Sequence, residues 1–187
     1  MNYGPIFTPL LAAAPLNELG SGQPDRALAK IKTLPLEDGF APQRIADREM
    51  AEACRAGLFL LYDCFDESHT ISQSIENPSG SYWHGILHRR EPDYGNAKYW
   101  FRRVGVHPVF APLAVAAREL AAAEKLDRAS TFLTEQTTWD PFRFVDLCAA
   151  AQGQSASEML CRQIQRRECE LLFDYCYRAA VGAEPIH

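Results

Sequence analysis

The sequence predicts an all-α fold, a single irregular bundle of about six to eight helices. Three observations lead there. Apolar residues recur at three- and four-residue spacing in several segments, as on one face of a helix. Cap residues and prolines punctuate the chain at helical lengths. Alternating apolar–polar runs are absent and β-branched residues are sparse, so no segment reads as a strand. No repeat at a solenoid period is visible.

Residues 1–24 are rich in Pro, Gly and small side chains and read as an extended N-terminal arm of one domain covering 1–187. Asp25 to about Leu34 reads as a short helix between Pro24 and Pro35, and Leu36–Phe40 as a turn. The first long helix is expected from Pro42 or Gln43 to Phe65. Ala46, Met50, Ala53, Gly57, Leu60 or Leu61 and Cys64 form its apolar stripe. Gly57 on that stripe costs about 1 kcal/mol against Ala, which is tolerable where another helix crosses closely.

Asp66 caps a short helix to about Ile75, and Asn77-Pro78-Ser79-Gly80 is a break. Ser81 is the candidate cap of a helix over Tyr82 to Arg90, which Glu91-Pro92 ends. Asp93 caps the next, Tyr94 to Val104, with Gly105 at its C-terminal end and Arg102 and Arg103 in the last turn. Pro108 opens an alanine-rich helix to about Glu124. Residues 125–138 are polar and ambiguous. Asp140-Pro141 starts a helix to Ala151, and Ser155 or Ser157 starts the last, to Ala180.

The chain of 187 residues is long enough to bury a sizeable core without disulfides or a structural metal. A net charge of −5 argues against a nucleic-acid partner, which would need a basic face for phosphates. No apolar run approaches the roughly 20 residues of a membrane helix. The patch Pro9–Ala14 has no basic leader, which argues against a signal peptide. Six cysteines without a Cys-x-x-Cys pair read as buried thiols of a cytoplasmic protein.

Tyr82 to Phe110 is the chemically dense stretch. It holds His84, His88 and His107, two tryptophans and four arginines. His84 and His88 are four apart on one expected helix, so both rings project from one face and can reach one metal, zinc or iron. Glu91, Asp93, His107 or His69 could supply a further ligand. Gly85 stands where a zincin carries glutamate, so this is not a zincin helix. A histidine beside Glu91 or Asp93 could also serve as a general base, which makes His84, His88, Glu91 and Asp93 the candidate catalytic set. Arg89, Asn96, Lys98, Tyr99, Arg103 and His107 are the candidates for holding a small polar or anionic molecule, since guanidinium, amide and phenol groups suit carboxylate or phosphate. No nucleophile elbow, phosphate loop or catalytic cysteine context is present.

The run Tyr-Trp-His-x-x-x-His-Arg-Arg-Glu-x-Asp-Tyr-x-Asn-Ala-Lys-Tyr-Trp-Phe-Arg-Arg-Val-Gly-x-His-Pro, from Tyr82 onward, resembles the signature of an uncharacterised family of bacterial hypothetical proteins with looser fungal relatives. The resemblance implies no activity, and points to the polar residues of this run as the place to look. Two readings stay open. In one, the run builds a pocket for a small molecule, with or without a metal. In the other, its polar residues are a buried network that locks helices in register in a structural or interaction module.

Overall fold

The computed structural model describes residues 2–23, 32–124, 127–153 and 155–183. Among these it contains ten helices and no strand, an all-α bundle as expected. They are α1 (Gly4–Ala13), α2 (Leu36–Phe40), α3 (Arg48–Leu61), α4 (Phe65–Gln73), α5 (Pro78–Arg90), α6 (Tyr94–Val104), α7 (Phe110–Ala121), α8 (Phe132–Glu135), α9 (Pro141–Ala151) and α10 (Ser155–Ala180). None of them is long and apolar enough to cross a membrane. All six cysteines are buried.

Two long elements carry the core. Helix α3 is buried along most of its length, from Met50 to Leu61, and packs on α4, α5 and α10. Helix α10 contributes Ile164, Leu172, Phe173 and Cys176 and also supports α7 and α9. Gly57 of α3 is where α5 crosses. A Cβ built there would stand 2.4 Å from Cζ2 of Trp83, so the missing side chain is what lets the indole lie against the α3 backbone.

Several boundaries differ from the sequence reading for local reasons. Residues 4–13 are helical, not extended. Pro5 lies in the first turn of α1, where a missing N–H costs nothing. Phe7 is buried edge-on against Phe40 and Phe173. Arg166 of α10 donates to the carbonyls of Leu11 and Ala14, satisfying groups that the short helix leaves open at its C-terminus. Tertiary contacts thus supply what propensity does not. The helix expected over Asp25 to Leu34 lies largely outside the described residues. Leu36–Phe40 closes into a helical turn rather than an open one, burying Leu36 and Phe40. Helix α3 starts later than expected because Asp47 is its cap, accepting from Met50 N–H.

The most useful correction concerns α5. Asn77 is not part of a break but the cap. Its side chain accepts from Gly80 N–H, and Pro78 takes the first helical position. Helix α5 therefore gains a full turn before Ser81, and Ser79 is buried within it. Asp93 and Asp140 cap α6 and α9 as expected, and Gly105 follows α6 with a φ of 64°. Helices α5 and α6 form the most closely paired hairpin of the molecule, and α4 lies against α5. That three-helix corner holds the candidate site.

Candidate metal centre at the α4–α5–α6 corner

Helix α5 has almost no exposed residue between Ser79 and Arg90. Its polar side chains leave the helix in two directions, the histidines one way and the arginines another. His84 and His88, four apart, emerge together toward α4 and α6. Their rings stack with centroids 4.7 Å apart. His69, half-buried on α4, meets His84 edge-on at 4.5 Å and His88 at 5.5 Å. One ligand nitrogen from each of the three rings lies within 4.8 Å of the others. A tetrahedral ion with bonds of about 2.0–2.1 Å holds its nitrogens roughly 3.4 Å apart, so rotamer adjustments of about 1–1.5 Å would close the set on zinc.

Burial favours the neutral form of His84 and His88. Burial, helped by the neighbouring His88 and His69, pushes the pKa of His84 down to about 3. Burial also lowers that of His88, against the opposing pull of Glu91. Nδ1 of His84 is buried with no hydrogen-bond partner among the described residues. On its outer face His84 carries the indole of Trp100, nearly parallel at 12° and 3.9 Å away. Arg103 lies over that indole at 5.2 Å. Guanidinium, indole and the two imidazoles thus form one continuous series of contacts.

His88 has a polar neighbour at each nitrogen. Nδ1 lies 3.0 Å from Oε2 of Glu91, close but with the N–H poorly aligned on the carboxylate. Nε2 lies 3.0 Å from the side-chain nitrogen of Asn96 on α6. The hairpin thus brings His84, His88, Glu91 and Asn96 together as the sequence suggested, and adds His69. The rest of the expected set goes elsewhere. Asp93 is spent on capping α6 through Asn96 N–H. Arg103 stacks on Trp100 rather than entering the histidine cluster. Tyr99 is exposed and meets Trp100 edge-on. Lys98 pairs with Asp146 of α9 at 2.5 Å. His107 is buried apart from the cluster. Its Nδ1 accepts from Val109 N–H, which leaves the proton on Nε2, facing Ser79 Oγ at 3.1 Å.

Arg89 follows His88 by one residue, about 100° around the helix, and so points away from the histidine face. It is fully buried against α10. Its Nη2 donates to Glu168 at 2.5 Å, and Tyr82 Oη donates to the other oxygen of that carboxylate at 3.0 Å. The guanidinium also lies over Phe144 at 4.6 Å. Burial alone would lower its pKa, but the Glu168 carboxylate more than offsets this and raises it. Arg90 turns a further step and pairs with Asp63 and the carbonyl of Leu60. Both arginines are structural partners here, and neither shares the histidine cluster. Their acids, 168 and 63, lie far away in sequence and carry no local signal; the half-buried Trp100 over His84 is a further residue of the site that spacing did not single out.

No family model, curated protein or solved structure matches the chain.

Proposed function

We propose that the protein binds a divalent transition-metal ion, zinc or iron, on His69, His84 and His88, and that the remaining coordination position holds a small polar or anionic molecule. One observation carries this reading: three imidazole nitrogens from two helices converge within 4.8 Å, two of them on His84 and His88, whose protonation burial disfavours. Three histidines with a fourth position open is the ligand set of catalytic zinc rather than of a closed structural site. Asn96 at the rim supplies an amide for the guest. The reading also places the protein in the cytoplasm, on the strength of its six buried thiols, and with the bacterial family whose signature the 82–110 run resembles.

A second reading is favoured by the other side of α5. Arg89 with Glu168 and Tyr82, and Arg90 with Asp63, tie α5 to α10 and α3 through buried polar contacts. In that reading the histidines extend the same helix-locking network, in a structural or interaction module. Metal analysis of the purified full chain separates the two. Stoichiometric zinc or iron, lost in His69→Ala and in the His84→Ala, His88→Ala double variant, supports the first. A metal-free protein that takes up no added zinc, and whose double variant loses several kcal/mol of stability, supports the second.

A further inference from the structure

The metal reading leaves open which nitrogen of His88 is the ligand and what fixes it. The two contacts of that ring answer together. Asn96 presents its amide nitrogen, a donor, to Nε2 at 3.0 Å, so Nε2 carries the lone pair. An imidazole with a lone pair on Nε2 carries its single proton on Nδ1. That nitrogen faces the Glu91 carboxylate at 3.0 Å, which can only accept. Each contact demands the same tautomer. Glu91 stands at the C-terminal cap of α5, one turn beyond His88, with its side chain 36% exposed. It is free to rotate onto the Nδ1–H line at little cost.

Resting on the metal reading, we infer that Glu91 is the positioning residue of this centre: it holds His88 as the Nδ1–H tautomer, so that Nε2 is the ligand nitrogen, while Asn96 occupies that lone pair until the ion takes it. A carboxylate behind a ligating imidazole fixes the ring and raises its basicity. Asn96 acts in the opposite direction, because its hydrogen bond must break before the ion binds. When it breaks, the freed amide N–H stands beside the ion and can donate to an oxygen of whatever fills the fourth position. Glu91 and Asn96 therefore have opposite signs: one promotes loading and the other competes with it. A purely structural role would give the same sign to both.

The test uses the full chain. Ring-nitrogen NMR of the metal-free protein with ¹⁵N-labelled histidine reads the tautomer of His88 directly. Nδ1–H is expected in the native protein and in Glu91→Gln, whose amide oxygen still accepts, with a shift toward Nε2–H in Glu91→Ala. Zinc titration should then show Glu91→Ala weaker by about 10–100-fold, Glu91→Gln between it and the native protein, and Asn96→Ala tighter. An Nε2–H tautomer in the native protein, or zinc affinity unchanged in Glu91→Ala or not raised in Asn96→Ala, overturns this inference alone while the metal reading stands. Failure of the native protein to bind zinc overturns the metal reading and the ligand assignment with it.

Discussion

Arg89 and Glu168 form an ion pair in which neither side chain has any solvent exposure, with Nη2 and Oε2 2.5 Å apart. Two charges so placed need each other more than the fold needs either. Removing one partner leaves a lone charge in the interior, which costs about 3–5 kcal/mol, whereas replacing both by apolar groups of similar volume is often near neutral. Arg89→Ala and Glu168→Ala should each lower stability by that amount in urea unfolding. An Arg89→Met, Glu168→Leu double variant should recover much of the loss, though Tyr82 Oη then loses its acceptor and holds part of it back.

The crossing of α3 and α5 at Gly57 is equally specific. A methyl group at Gly57 meets three ring atoms of Trp83, at 2.4, 2.6 and 2.8 Å, and the buried indole cannot swing clear. Gly57→Ala should therefore destabilise by about 1–3 kcal/mol through overpacking, despite the better helix propensity of alanine. Trp83→Leu in the same background should be less harmful than Trp83→Leu alone, a coupling that a double-mutant cycle in urea measures.

Acid should loosen the α4–α5–α6 corner. Burial holds His84 near 3 and His107 near 4, and lowers His88, whereas an unfolded histidine titrates near 6.5. Between those values the unfolded chain binds more protons than the folded one. The stabilising contribution of the neutral rings is therefore complete above about pH 6.5 and declines as pH falls toward 4. Urea midpoints measured from pH 7.5 to 4 should fall in the native protein. The slope should flatten in His84→Gln and His107→Gln, each of which removes one of the titrating rings.

Zinc should oppose that decline. On the proposed site, free zinc at 100 times its dissociation constant adds about 2.7 kcal/mol at 25 °C, or roughly 5–10 °C in the melting temperature of a chain this size. The shift should vanish in His69→Ala and persist in His107→Ala, whose ring sits against Ser79 and Val109 instead.

Periodicity made the helices legible because most of the chain obeys local rules: Asp93, Gly105 and Asp140-Pro141 act on their own helices, where sequence can see them. Asn77 was legible in principle. The Asn-Pro pair reads equally as a break and as a cap with proline at the first helical position, and burial of Ser79 and Gly80 decides for the cap. Helix α1 was not legible, since Arg166 and Phe173, more than 150 residues away, hold its end and its buried face. The site divides the same way. The His84–His88 face follows from spacing alone. That Arg89 belongs to the other side follows from helical rotation, but its acid, Glu168, could not be named. His69 was one of several possible third ligands, and only the packing of α4 on α5 sets it apart.

The indole lying flat on His84 has an optical consequence. Trp83 is sealed behind Gly57 and Trp139 sits against Phe144, so Trp100 is the tryptophan in van der Waals contact with the histidine cluster. A copper or cobalt ion arriving at those rings would drain its excited state within a few ångströms, and the protein's own ultraviolet emission becomes a meter for occupancy that needs no added dye.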